Sequence, residues 1–595
     1  MSLLQKAAET FDNYFHYASK QRENHSMMAP VSHIVTRANI VISLDAEGNF
    51  VDANPVGKDA PKIIIPATEA SANRTSAPCA HPLFDQLAYL MPENSEKYSL
   101  YIEQLRKWGN SEFSHPKLRP VLSYVARGTI VQDLLKCGVI KAGSDGRPED
   151  EKQMISWRVY GEEPSECWLD ESLFEAFTGF YEAYSHGEEH FCMVEGKQTR
   201  MASQHPKGIV SINGNAKLIS ANDSSGFTYR GRFTEEWQAA SVGYQTSQKA
   251  HNALRWLVQE QGIHIGGRTF LCWNSKGKIF APIIAPFMKP EGPVFRPSDY
   301  KEALRKKLIS MRDGFEPDDD AIIAVFDAAT TGRLALTYYS EQRAMDLLQR
   351  LHDWEINCCW PHKKNGIASP DLRQIIHCAF GNRHEEKGKE IMKADDRVLK
   401  QQMQRLVLCR INGGTIGADI VKGLADKWTY SQDFDRELRD QILFVACAVL
   451  RKYRKDLFKE EWQMALEPKR MDRSYQFGRL LAILEKVERD TYSSGESREP
   501  NAIRLQAMFS RRPMDTAHQL EKQLEQAYFP CLGMGSRVWY KNLIGEVMDM
   551  ISCFPEEQWN RPLESTYMMG YYLQRADLYT AKKEQNTEVE ENEEA

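Results

Sequence analysis

The side chains best spaced for chemistry are those of His186-Gly187-Glu188-Glu189-His190. H-x-x-E-H is the inverted metallopeptidase signature, in which two imidazoles one helical turn apart bind zinc and a glutamate serves as base. That chemistry needs an unbroken helix through both histidines. The periodic stretch ESLFEAFTGFYEAY ends at Ser185, and extended FCMVEG begins just after His190, so the pattern predicts a helix end at the surface. A metal-dependent hydrolase built on His186 and His190 stands as the alternative reading. Other catalytic patterns are missing. There is no G-x-x-x-x-G-K-[ST] loop, and Gly262–Gly267 lacks the strand–turn–helix context of a dinucleotide fingerprint. The acidic run with Asp318, Asp319 and Asp320 reads as capping the helix or strand that follows. Cys358-Cys359, beside Trp354 and Trp360, reads as core, and no nucleophile elbow is present. The expectation is a chain with no catalytic residues, no metal and no cofactor: not an enzyme.

Amide and cationic side chains form the richer set. In HPKGIVSINGNAKLISAND, which starts at His205, two short strands, IVSI and AKLIS, flank Asn213-Gly214-Asn215. Asn-Gly between β-prone runs is a strong hairpin signal, because the primed turns need positive φ. Lys207, Asn213, Asn215, Lys217 and Asn222 then fall at or beside strand ends, within reach of a ligand. A helix is expected from about Thr234 to Gln261, stopped by Gly262. Ala250, Leu254, Leu257 and Val258 form its apolar face, with Lys249, Asn252, Arg255 and Gln259 on other faces. Ile263–Ile265 and Arg268–Trp273 read as a second strand pair around Gly266-Gly267. Asn73-Arg74-Thr75-Ser76 is expected in a loop between IIIPATEA and a helix starting near His81, and Lys62 is a similar candidate for reaching a DNA groove. Two basic clusters, Arg305-Lys306-Lys307 and Arg451-Lys452 with Arg454-Lys455, are candidates to track phosphates by charge.

The elements that must position these residues fall into five regions of an α+β chain. Residues 1–90 mix an N-terminal helix with IVISLD, GNFVDA and KIIIPA as strands. Residues 91–190 look mainly helical, with a Gly/Asp/Pro-rich break at 143–150. Residues 191–290 are β-rich. Residues 291–470 are mainly helical, apart from IIAVFDA and RLALTYY as one strand pair. Residues 471–595 read as an antiparallel helical bundle, with helices near 501–511, 515–528, 535–553 and 562–580 and an acidic tail. The 595 residues carry a net charge of −6, which by itself says little about nucleic-acid binding, because binding depends on where charge sits. No apolar run is long enough to span a bilayer, and MSLLQKAAETFDNYFHYASKQRE reads as a folded helix rather than a signal peptide. Twelve cysteines without C-x-x-C pairs suit reduced thiols in a bacterial cytoplasm.

Six collinear pieces carry a resemblance. They are IVISLDAEGNFV, ANRTSAPCAHPLFDQLAYLM, HFCMVEG, the block HP…SINGNAKLISAND…TSQKAHNALRWLV…GGRTFLCWN, FDAATTGRLALTYY and MDRSYQFGRLLAILEKVERDTY. In this order they resemble the large subunit of the type I-C (Dvulg subtype) CRISPR interference complex, Cascade. The resemblance implies a non-catalytic subunit that reads the short motif flanking a double-stranded DNA target. It also implies that the subunit holds the displaced strand and recruits the helicase-nuclease that cuts. The implied partners are the guide RNA, the backbone subunits, and small subunits made from an internal start within the same gene. Met471, with Met464 as competitor, is where that start is expected.

Overall fold

The computed structural model describes residues 2–20, 26–75, 77–144, 147–212, 214–220, 229–278, 280, 283–288, 292–328 and 330–579. The chain divides into two compact units, Met1–Phe280 with Asp319–Gln342, and Ala281–Asp318 with Arg343–Ala595.

The first unit has two cores. In one, Ile40–Leu44 and Phe50–Pro55 pair antiparallel as the alternation of IVISLD and GNFVDA requires. Asp45 closes their turn by accepting the N–H groups of Glu47 and Asn49, and Gly48 takes φ +85°. A third strand, Ile155–Val159, lies parallel to Ile40–Leu44. It interrupts the stretch expected to be helical, because its IxW alternation is too short to separate from the helices around it. Ile42, Leu44, Trp108, Trp157 and Phe177 fill this core. Ile63–Pro66 pairs with His33–Thr36 rather than with its neighbours in sequence.

The second core is a helix pair on a sheet. Helix Leu3–Ala18 packs on helix Tyr244–Gln261. Against them lies a four-stranded sheet in the spatial order Ala335–Arg343, Asp320–Asp327, Arg268–Trp273, Ile263–Ile265. The two strand pairs read separately from the sequence are therefore one sheet, joined through Ile322↔Trp273 and the rungs beyond it. The Trp273 indole donates to Thr10 Oγ1 (3.1 Å), which seats the first helix. The aspartates at the start of Asp320–Asp327 fix the same corner: Asp319 accepts both Lys276 and Lys278, and Asp320 accepts Lys6.

Four local expectations are corrected here. The helix expected from Thr234 is two pieces, Glu236–Ala239 and Tyr244–Gln261. Between them Ala202 N–H donates to Val242 O and Met201 bridges Gly243, where a Cβ would meet Thr199 Cγ2 at 2.7 Å. IVSI and AKLIS form no ladder; a single bridge, Lys207↔Lys217, joins the segments, and Ile209, Val210 and Ala216 turn into the core instead. FCMVEG is the end of strand Glu189–Phe191 followed by a turn, where Gly196 N–H donates to Cys192 O. Asn73 ends a short helix, Glu69–Asn73, capped by Thr68; the next helix starts at Leu87, not near His81.

Among its described residues the second unit is mainly helical, with two hairpins, Trp360–His362 with Gly366–Ala368 and Asn382–Glu386 with Lys389–Lys393. Its terminal helices follow the sequence reading closely: Arg473–Arg489, Asn501–Arg504, Gln506–Arg511, Pro513–Gln523, Met534–Ser552 and helical residues 567–579. Arg473–Arg489 is buried from Ser474 to Glu488. Two glycines let it touch the last helix. A Cβ on Gly478 would stand 2.0 Å from Tyr567 O, and one on Gly570 would stand 2.0 Å from Tyr475 O. Cys358 and Cys359 are buried and all twelve cysteines are free. No helix among the described residues is long and apolar enough to cross a membrane.

Candidate nucleic-acid interface

The site begins with an arginine that the sequence reading left aside. Arg255 lies on helix Tyr244–Gln261, where its guanidinium donates to the carbonyls of Lys207 and Gly208. Desolvation of the half-buried guanidinium lowers its pKa to about 10. These bonds draw the chain at Lys207–Gly208 onto the helix, and Gly208 complies with φ +77°. The segment is thereby turned away from a regular hairpin. Lys217 is left to pair with the returning chain: its N–H donates to Gly332 O (3.2 Å), and its carbonyl accepts Leu334 N–H (2.9 Å). Lys207, Lys217 and Arg333 thus stand on three adjoining segments.

Both lysines are half-buried, and both have lowered pKa values. Burial is the main cause for each; the charge of Arg74 adds to it at Lys207, and the charge of Lys207 adds to it at Lys217. Among the described residues neither lysine has a carboxylate partner; the one hydrogen bond Lys207 Nζ makes is a long one, 3.5 Å, to Arg74 O. Cations held together in this way, partly dehydrated and unneutralised, favour an anionic ligand. Beneath them lie His81, His205 and His251, whose pKa values burial lowers to about 3, about 3 and about 4. They stay neutral, so the positive charge is confined to the lysine and arginine side chains.

Arg74 borders this site, but its guanidinium is engaged inward. It forms a bidentate pair with buried Asp85 (2.6 and 2.9 Å), donates to Cys79 O and lies 4.7 Å from the Tyr89 ring centre. Asn73 Nδ2 donates back to Glu69 O, and among the described residues its buried Oδ1 has no hydrogen-bond partner. Asn215 and Lys62 are exposed. Asn213, Asn222, Ser76 and the acidic tail lie outside the described residues. The sequence placed Arg255 on a polar face of its helix but gave no sign of the carbonyls it would hold, and it gave no sign of the neutral histidines because burial is tertiary. Arg333 it left within a strand pair.

The two basic helices differ. On Pro297–Arg312 the cluster Arg305-Lys306-Lys307 is exposed, with Arg305 and Lys306 near Glu302. On Arg436–Phe458 the basic residues proposed to track phosphates have partners within the unit. Arg451 is buried and donates to Trp462 O and Ile356 O; Lys452 is buried and pairs with Asp456. Arg454 pairs with Glu460, and Lys455 with Glu461. That charge is spent inside the unit.

The H-x-x-E-H residues take an irregular and then extended path after helix Glu171–Tyr184. His190 lies on strand Glu189–Phe191, bonds Glu188 Oε2 (3.0 Å) and stacks on Trp237 at 4.1 Å. His186 precedes that strand, so the two imidazoles do not share a helix turn. Among the described residues no group of three or more His, Cys, Asp or Glu side chains is placed to hold a metal ion.

Comparison with known proteins gives one assignment. The family model described as "CRISPR-associated protein (Cas_Csd1)" matches residues 14–579. No curated protein matches the chain.

Proposed function

The chain belongs to the Cas_Csd1 family of CRISPR-associated proteins, the large subunits of type I-C Cascade, and from that premise we propose that it reads the short motif flanking a double-stranded DNA target. In RNA-guided complexes base pairing reads the sequence, so the protein's share is the flank, the backbone and the displaced strand. The observation that carries this reading is the pair Lys207 and Lys217: two partly dehydrated cations with no carboxylate partner among the described residues, beside exposed Asn215 and Arg333. Lysine, arginine and amide side chains suit a minor groove, whose donor–acceptor pattern is degenerate and whose phosphates lie close on either side. Asn213, Asn222, Lys62, Asn73 and Arg74 are proposed to contact the same DNA on the strength of their place in the sequence. Arg74 acts there as the buried anchor of the Asn73 segment. The exposed cluster Arg305–Lys307 is the remaining candidate for phosphate contact by charge.

The subunit works by binding rather than by catalysis. Its proposed partners are the guide RNA, the Cascade backbone subunits, small subunits from its own C-terminal region, and the helicase-nuclease that degrades the target, all in the cytoplasm.

The test uses the complex reconstituted with guide RNA and duplex targets carrying every short flank. Replacing Lys207 and Lys217 by glutamine is expected to weaken duplex binding and to lower the slope of log affinity against log salt by about one per lost phosphate contact. A wild-type flank preference that survives with an unchanged slope removes the lysine pair from the site. No flank preference at all removes the reading.

A further inference from the structure

We infer that Tyr229–Trp237, with the hairpin tip beside it, is a stacking surface for single-stranded nucleic acid. The inference deepens the reading above by naming a second site for an unpaired strand. The segment reads Tyr229-Arg230-Gly231-Arg232-Phe233-Thr234-Glu235-Glu236-Trp237. A tight turn closes it at its head, with Phe233 N–H donating to Arg230 O (3.2 Å) and Gly231 at φ +63°. Arg230 is tied back to Thr234 O (2.9 Å), and the Arg232 guanidinium lies 5.4 Å from the Phe233 ring centre.

The rings are presented rather than packed. Tyr229 is 92% exposed and Phe233 39%. Single exposed aromatics are ordinary; several in one strip, interleaved with arginine, mark a contact surface. The strip runs on into the hairpin Glu189–Phe191/Gln198–Arg200. Trp237 lies face to face with His190, 9° from parallel, at one wall of a cleft of about 110 Å³ that also touches Ser203 and His205. Ser241 Oγ donates to Phe191 O and Met193 N–H to Ser241 O, which holds the hairpin tip against Ser241, four residues beyond Trp237. The tip presents Phe191 and Met193, 56% and 60% exposed.

Charge decides how such a surface would bind. Arg230 and Arg232 are matched in number within the segment by Glu235 and Glu236, so its own formal charge gives it little pull on a polyanion. Affinity must come from ring faces meeting base faces, which every unpaired base offers and a closed duplex does not. This sets the strip apart from the lysine pair, where charge dominates and salt must matter.

The experiment titrates the full-length chain against labelled oligo-dT and oligo-rU by fluorescence anisotropy across a salt series. Replacing Tyr229 and Phe233 together by alanine is expected to weaken single-strand binding roughly tenfold or more, with the salt slope unchanged. Tyr229→Trp should retain binding. A preference for oligo-dT assigns the strip to the displaced DNA strand, and a preference for oligo-rU to the guide. Equal binding by the wild type and the double-alanine variant overturns the inference, as does a wild type that binds neither oligonucleotide. A double-alanine variant that binds both as the wild type does but no longer joins the assembled complex also overturns it, and gives the strip to a protein partner. Flank preference for duplex targets, measured in parallel, depends on Lys207 and Lys217. Its absence would remove the flank reading while leaving the single-strand result to stand or fall on its own.

Discussion

Four buried histidines of the first unit set its response to acid. Burial is the main cause at each, bringing His33 and His251 to about 4 and His81 and His205 to about 3. An unfolded chain binds a proton at an ordinary histidine near pH 6.5, so between that value and the folded pKa it holds more protons than the native state. Stability from each group is therefore complete above about pH 6.5 and falls by about 1.4 kcal/mol per pH unit until the folded pKa is reached. We predict that unfolding midpoints fall steeply as pH drops from about 6.5 to about 4, and that His251→Gln flattens this slope by one proton. An unchanged slope would mean that the His251 imidazole is not held neutral. The same residues show where sequence reading stops at this scale. Lys207, Lys217 and Asn215 stood out in the sequence as polar groups at the ends of strands that the fold does not form, and Arg74 and Asp85 had to be seen together before the arginine's charge was known to be engaged. Arg255, His205 and His251 had no local signal, because their role comes from what the fold buries on them.

At the scale of elements, one close helix contact of the second unit rests on two glycines. Helix interiors disfavour glycine by about 1 kcal/mol relative to alanine, so a glycine kept there needs a packing reason. Gly478 and Gly570 have one, since each faces a backbone carbonyl of the opposite helix, which cannot move aside as a flexible side chain can. We expect Gly478→Ala or Gly570→Ala to destabilise the unit by about 3 kcal/mol or more in chemical unfolding. Gly545→Ala, on helix Met534–Ser552 with nothing within 4 Å of the added methyl, should stabilise by about 0.5–1 kcal/mol. Similar effects at all three positions would refute the contact. These helices were largely legible because their apolar stripes and proline-marked loops are local features. The hairpins Ile40–Leu44/Phe50–Pro55 and Ile263–Ile265/Arg268–Trp273 were legible from turn chemistry. The parallel strand Ile155–Val159, and the union of two strand pairs into one sheet across the excursion from Ala281 to Asp318, were not. Such pairings join segments far apart in sequence, and the partner is not written in the strand itself.

The whole molecule bears on the proposal that the C-terminal helices are also made as a separate product from Met471. In the full chain these helices share their interior with the helices before them. Tyr567 and Tyr571 lie 5.2 and 5.0 Å from Trp428, Arg575 pairs with Asp440, and Glu499 pairs with Arg439. A product lacking residues 1–470 would expose the faces that Trp428, Arg439 and Asp440 cover. Expressed alone, it is therefore expected to seek a replacement partner for that surface. Met471 itself is 64% exposed in the irregular segment before helix Arg473–Arg489, so Met471→Ala should leave the full-length fold unchanged. That makes it a clean test of translation. Complexes purified from a gene carrying Met471→Ala are expected to contain the full-length subunit at its normal level and to be depleted in small subunits. Half-buried Met464 provides the comparison. Depletion by a Met464 substitution alone would move the start upstream, and full small-subunit content in both variants would mean that the C-terminal helices act only as part of the whole chain.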